Sequence, residues 1–255
     1  MTGKQMFHPS WPIFYEDNHL FVLYKPAGLL VQGDRTNEPS LLEFGKAWLK
    51  EQYHKPGRVF LGLVHRLDRP VAGVIVFGRT SKAAGRLSEQ FRSGKIRKTY
   101  LAILEGHLTQ PSGRLIDLIE KQNDRSSRIV QCSTATSREG RLSYRLIDTA
   151  RSRSLVEIYL ETGRRHQIRV QFSHIGLPLV GDLRYGASAP LPQGQIALFA
   201  RKITVEHPTR RIALEFQCPM PQGWPWPNSE TDLCSPVWNW ADLASLVSPT
   251  IPFNA

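Results

Sequence analysis

Both faces of the stretch 19–25 are hydrophobic, with Leu20, Val22 and Tyr24 alternating with Phe21 and Leu23, the pattern of a strand buried on two sides. Pro26, Ala27 and Gly28 then stop it in a turn. Across 39–53 the period changes. Leu41, Phe44 and Trp48, and Leu42, Leu49 and Tyr53, recur at helical spacings, and Ser40 is a start signal, so an amphipathic helix is predicted. The Leu-rich or β-branched stretches 60–67 and 74–77 read as two buried strands on either side of a sharp interruption at Asp68, Arg69 and Pro70.

Thr80 or Ser81 can cap a second helix that runs to about Arg92, with Ala83, Ala84, Leu87 and Phe91 on its inner stripe. A strand over 99–104 follows. The segments 142–148 and 155–161 read as a hairpin about the turn 150–153, because Val156, Ile158 and Leu160 alternate with Glu157 and Tyr159. Ile168 and Phe172, one helical turn apart, predict a short helix over 165–175, opened by Thr162 and Gly163 and closed by Gly176, Leu177 and Pro178. The last strands are predicted at 196–205 and 211–217. Many strands with three short helices, and no regular strand-helix alternation, predict an α+β fold on a largely antiparallel sheet. From Trp224 onward no period is legible; four of the six Trp lie there, which suggests an arm packed on the body through its indoles.

Charge narrows the class of partner. The 255 residues carry 33 Lys and Arg against 22 Asp and Glu, a net charge of +11, and between 79 and 98 the basic residues face only one acid, Glu89. Clustered cations of this kind suit a polyanion, because phosphate neutralisation releases counterions. RNA or DNA is the expected partner. No apolar run reaches the ~18 residues of a membrane span, and the first dozen residues lack the order of a secretion signal, so a protein without membrane contact is expected, cytoplasmic or else organellar in mature form. Cys132, Cys218 and Cys234 are too far apart for a metal or redox pair. Dinucleotide, Walker, zinc-hydrolase and serine-elbow patterns are missing too, so the expected chemistry uses neither cofactor nor metal.

Two segments can carry that chemistry. In His65-Arg66-Leu67-Asp68-Arg69-Pro70 a carboxylate stands between two guanidinium groups in a chain that must turn sharply, and a neighbouring Arg favours the ionised form. Such an Asp can be a nucleophile or a base, or simply half of a structural ion pair. In Thr162-Gly163-Arg164-Arg165-His166-Gln167-Ile168-Arg169, helical spacing would put Arg165 and Arg169 on one face, able to hold both a carboxylate and a phosphate. His166 reads as a hydrogen-bonded histidine outside the catalytic set.

Four motifs in order, Tyr24-Lys25-Pro26-Ala27-Gly28-Leu29-Leu30-Val31, then HRLDRPVAGVIVFGRT from His65, KTYLAILEG from Lys98 and TGRRHQIRVQFSHIGLPLVGDLRYG from Thr162, span about residues 13–220. Together they resemble the RluA-type pseudouridine synthases of ribosomal RNA and tRNA. The resemblance implies an α+β fold with a mixed, largely antiparallel sheet in two halves and the catalytic cleft between them. It implies that Asp68 attacks the sugar or removes a sugar proton as uracil leaves, that Tyr100 stacks on the uracil, and that Arg169 pairs with and orients the aspartate. Arg66 is implied to fill the gap left by the extruded base; Arg165, His166 and Gln167 are expected to bind substrate. A stacked uridine has to leave its helix before its ring can turn, so a wedge, an aromatic platform and a pocket are the expected parts.

The pattern departs from the family at Pro70-Val71-Ala72 and at Gln171-Phe172, which touches substrate preference rather than a proposed catalytic group. The expected organisation is an N-terminal arm over 1–12, a catalytic domain over 13–223 and a Trp- and Pro-rich extension over 224–255, as a monomer with no obligate protein partner and no added N-terminal RNA-binding domain. RNA, ribosomal or transfer, would then be gripped by the basic helix and by the arginines between 125 and 153. A fold that kept RNA binding and lost turnover is the chief competing reading; a metal-dependent phosphodiesterase would want more carboxylates than cluster here.

Overall fold

The computed structural model describes residues 13–36, 38–124, 126–218 and 224–226. Within them lie the strands β1 (Ile13–Glu16), β2 (Leu20–Lys25), β3 (Gly62–Leu63), β4 (Ala72–Gly78), β5 (Arg97–Glu105), β6 (Ser112–Lys121), β7 (Ser127–Val130), β8 (Arg138–Ala150), β9 (Arg153–Leu160), β10 (Leu198–Glu206) and β11 (Ala213–Gln217). The helices are α1 (Leu41–Gln52), α2 (Ser81–Arg92) and α3 (Gln167–His174). All strands join one sheet in the order β1-β2-β4-β10-β5-β9-β8-β6-β7, with β3 on β4 and β11 on β10. Only β4 and β10 pair in parallel; the other ladders are antiparallel, so the mixed, largely antiparallel α+β architecture holds. The two halves are continuous through β10 and β5.

Period-two alternation sorts the core to the two faces of this sheet. Phe21, Leu23, Ile75, Phe77, Tyr100, Ala102 and Ile158 lie in one cluster, and Phe44, Leu49, Ile168 and Phe172 from α1 and α3 close over them. Their neighbours Leu20, Val22, Val74, Val76, Leu101 and Ile103 lie in the second cluster with Leu87 of α2. Both helix starts follow the predicted signals. Ser40 and Glu43 form a reciprocal capping box, and the Thr80 hydroxyl accepts the Ala83 N–H.

Three predicted elements change. The strand expected over 60–67 pairs only at Gly62 and Leu63, because the next β4 donor in line, Val76 N–H, is taken by the His65 imidazole at 3.0 Å and the chain peels away. The helix expected from 165 begins at Gln167, since His166 sits in the left-handed region with φ 51°. Arg165 therefore precedes the helix and does not share a helical face with Arg169. Strands β1, β6 and β7 are additional: in β6, Arg114 and Ile116 face outward among shorter side chains, which blurs the alternation.

Of the Trp-rich tail, Trp224 and Trp226 are described, and both are buried in the second cluster, with Trp224 5.8 Å from the Phe199 ring. Trp238, Trp240, Cys234 and the predicted arm over 1–12 lie outside the described residues. Among the described residues no helix is long and apolar enough to cross a membrane.

Candidate active site

The loop between β3 and β4 is pinned at both ends. At its start, His65 accepts the Val76 N–H and stacks on Phe91, ring centroids 4.7 Å apart; burial pushes this imidazole down to about 3, which keeps it neutral and able to accept. At its end, the Arg69 carbonyl accepts hydrogen bonds from the Gly28 N–H (2.8 Å) and from Lys25 Nζ (3.1 Å). Gly28 has φ +88°, a backbone conformation in which only glycine is unstrained. Lys25 is fully buried and also donates to the Pro26 carbonyl at 2.8 Å. Burial lowers its ammonium to about 7, against the opposing pull of the Asp68 charge.

Asp68 stands between these anchors with its side chain 29% exposed. The two arginines beside it in sequence do not hold it. Arg69 turns away to pair with Glu38 and to donate to the Gly28 carbonyl at 2.9 Å, and Arg66 points to solvent with no partner among the described residues. The guanidinium on Asp68 comes instead from 101 residues downstream: Arg169 Nη1 donates to Asp68 Oδ2 at 3.1 Å. The expected pairing of Asp68 with Arg169 is thus present, and the expected cradle of Arg66 and Arg69 is not.

Arg169 is itself braced. Its Nε and Nη2 donate to Asp182 Oδ2 and Oδ1 at 2.7 and 2.8 Å, and its guanidinium lies 5.0 Å above the Tyr185 ring centre. Neither Asp182 nor Tyr185 was singled out from the sequence. Both fall within the fourth motif, and the signal was there: an acid after Gly181 and a Tyr before Gly186, in a segment closed by two glycines. Gly181 and Gly186 have φ +85° and +97° and bound a tight 3-10 turn, Leu183–Tyr185.

The remaining predicted site residues separate into two groups. His166 comes within 3.7 Å of Asp68 Oδ2 through Nε2, while its Nδ1 lies 2.8 Å from the Tyr185 hydroxyl. Burial lowers its imidazole to about 4, with Asp68 opposing and the surrounding arginines assisting. Gln167 is turned inward. Its Oε1 accepts from Thr162 Oγ1 and the Arg164 N–H, and its Nε2 donates to the Arg141 carbonyl, so it clamps the turn before α3. Arg165 is exposed and has no side-chain partner among the described residues. Tyr100, on β5 opposite Ile158, is 9% exposed; burial first, and the Asp68 charge second, push its phenol up, so it stays protonated.

Of the seven arginines expected to grip RNA between 125 and 153, three are neutralised by acids. Arg128 pairs with Glu120, Arg141 with Glu139 and Glu161, and Arg145 with Glu157, while Arg138 donates to the carbonyls of Ala135 and Ser137. Arg125 lies outside the described residues. On the basic helix, Lys82 is exposed with no side-chain partner among the described residues, whereas Arg86 donates to the Pro208 carbonyl and Arg92 pairs with Glu89.

Comparison with known proteins shows the family and the fold. A family model for RNA pseudouridylate synthase matches residues 19–174. The ribosomal large subunit pseudouridine synthase D of Xylella fastidiosa is 34% identical over 223 residues, covering 82% of this chain and 66% of the relative. That of Pseudomonas aeruginosa is 32% identical over 233 residues, covering 84% and 69%. The chain therefore spans about two thirds of the length of these curated relatives. Human RNA pseudouridylate synthase domain containing 4 is alike in fold, with a TM-score of 0.69 at 24% identity, covering 83% of this chain and 89% of that one.

Proposed function

Because the chain belongs to the RNA pseudouridylate synthase family, we propose that it isomerises specific uridines in structured RNA, detaching uracil at nitrogen and rejoining it through carbon, with Asp68 as the reacting carboxylate. The observation that carries this reading is the asymmetry of one ion pair. Asp68 is partly open to solvent, whereas its partner Arg169 is 7% exposed and held by Asp182. A structural pair has no reason to leave its anion open to solvent while locking its cation behind it; a carboxylate that must meet substrate does.

The other parts follow from this placement. Arg169 orients the carboxylate from behind, leaving its outer side to the ribose. Tyr100 offers a protonated aromatic face to a flipped uracil, and the free guanidinium of Arg66, two residues from Asp68 and exposed, fills the space the base leaves in its stack. Arg165 contacts phosphate nearby, while Gln167 shapes the loop that presents it. The RNA is ribosomal or transfer RNA, and the protein works as a cytoplasmic monomer whose catalytic domain covers 13–223.

The test is to map pseudouridines in total RNA from cells with and without this protein, and to assay the purified chain on the sites that vanish. Asp68→Asn is expected to bind the same RNA and form no product. Normal pseudouridine yield from that variant would falsify the assignment. RNA binding without any site depending on the protein would favour a fold that kept binding and lost turnover.

A further inference from the structure

The hydroxyl of Tyr185 lies 2.8 Å from the Ser127 backbone N and 2.8 Å from His166 Nδ1. The Ser127 amide can only donate, so it occupies a lone pair of the phenol oxygen. Burial keeps the phenol protonated, and its single hydrogen then points to the one acceptor within reach among the described residues, His166 Nδ1. An imidazole whose Nδ1 accepts, and which burial holds neutral, carries its own hydrogen on Nε2. That Nε2 faces Asp68 Oδ2 at 3.7 Å, the same oxygen that Arg169 Nη1 reaches at 3.1 Å.

We propose that Tyr185 is a positioning residue that fixes His166 as its Nε2–H tautomer, so that two donors, Arg169 and His166, converge on one oxygen of Asp68 and leave the other for substrate. The proposal rests on Asp68 being the reacting carboxylate. Asp68 Oδ1 accepts no hydrogen bond from the described residues. One donor alone would let the carboxylate turn about its Cβ–Cγ bond; two from different directions stop it. The opposite tautomer would aim the Nε2 lone pair at the carboxylate and repel it. At 3.7 Å the Nε2–H is just beyond hydrogen-bond length, and a closure of about half an ångström on binding RNA brings it into range, as catalytic hydrogen bonds commonly tighten with substrate.

Both donors hang on one short turn. Asp182 at its start grips Arg169, and Tyr185 at its end grips His166. The left-handed backbone of His166, strained by about 1 kcal/mol for a non-glycine residue, delivers the ring to both partners.

The experiment is 15N NMR of the RNA-free full-length chain, with His166→Ala used to assign the signal, together with single-turnover rates at saturating RNA. In the wild type, His166 is expected to show a bare Nδ1 and a protonated Nε2 at neutral pH. Tyr185→Phe is expected to populate the Nδ1–H form and to slow the single turnover about tenfold or more, as lost tautomer control does elsewhere, with RNA affinity changed less than about twofold. In the His166→Ala background, Tyr185→Phe is expected to add no further loss.

A wild-type His166 carrying its hydrogen on Nδ1 overturns the proposal, even should Tyr185→Phe fail to fold. So does an equal slowing by Tyr185→Phe with and without His166, which would mark a merely structural role. The spectrum is read without RNA, so an enzyme that forms no pseudouridine but shows the Nε2–H tautomer refutes the proposed function and not the tautomer.

Discussion

Asp182 and Arg169 meet as a two-pronged ion pair, Nε to Oδ2 at 2.7 Å and Nη2 to Oδ1 at 2.8 Å, with the Asp182 side chain 1% exposed. The geometry leaves one arginine nitrogen, Nη1, for Asp68. Removing the acid leaves a buried guanidinium short of half its compensation. Asp182→Ala is expected to lower folding stability by about 3–5 kcal/mol, read by urea unfolding, and to lower turnover in the same preparation. Replacing both residues, Arg169→Met with Asp182→Leu, removes the desolvation cost along with the pair. The double variant should recover much of the stability and none of the turnover. Recovery of both would mean that Arg169 serves the fold alone.

Tyr100 belongs to the core, and the proposed function also gives its ring to the substrate. If its ring is the platform for uracil, a residue of similar volume without a π face should fail where phenylalanine succeeds. Tyr100→Leu is expected to lose about 10–100-fold in kcat/KM, the value of one base stacked on an aromatic ring, while Tyr100→Phe stays within about tenfold of the wild type. Equal rates for the two variants would reduce Tyr100 to a packing residue. Since burial raises the phenol, it contributes no titration to the rate profile between pH 6 and about pH 10.

His65 and His166 are both pushed below the ordinary imidazole value by burial, to about 3 and about 4. The unfolded chain holds their protons up to its ordinary value near 6.5, so between pH 4 and 6.5 unfolding takes up protons. Stability therefore rises with pH across that window. Each histidine adds up to about 1.4 kcal/mol per pH unit. Urea midpoints at pH 4.5, 5.5 and 6.5 should climb in the wild type, and His65→Gln should flatten the climb. A slope unchanged by that substitution would show that His65 is charged in the folded protein.

Cations differ in what they have left to give RNA. Arg66 and Arg165 are exposed and without side-chain partners among the described residues, whereas Arg114 and Arg145 are tied to Glu161 and Glu157. Arg66→Ala and Arg165→Ala are each expected to weaken RNA binding, and Arg165→Ala, the phosphate contact, to reduce its log–log salt slope by roughly 1. Arg145→Ala is expected to leave the slope unchanged, because its charge is already matched. Binding titrations from 50 to 300 mM salt decide; equal slopes for all three would point to a grip outside the cleft.

The local rules carried far in this chain. Residues 20–25 alternate between two apolar faces and form a strand buried on both, and Ser40 and Thr80 each cap the helix that follows them. Those features are legible because they depend on neighbours a few positions away. The strand over 60–67 was not, because a side chain, His65, displaced backbone pairing there. Nor was the start of α3, where a left-handed His166 delayed the helix by two residues.

By itself the amino-acid order determined the period of most elements, the cationic excess and the candidates Asp68, Tyr100 and Arg169, which three of the four ordered motifs carry. Which arginine serves Asp68 was decided by tertiary structure. Arg66 and Arg69 are adjacent along the chain, yet Glu38 and solvent claim them, and a residue 101 positions away arrives on α3. Asp182 and Tyr185 became visible as partners only there, as did the neutralised arginines of β8. Charge pairing acts over a few ångströms in space, and chain separation says little about which groups the fold brings within that reach.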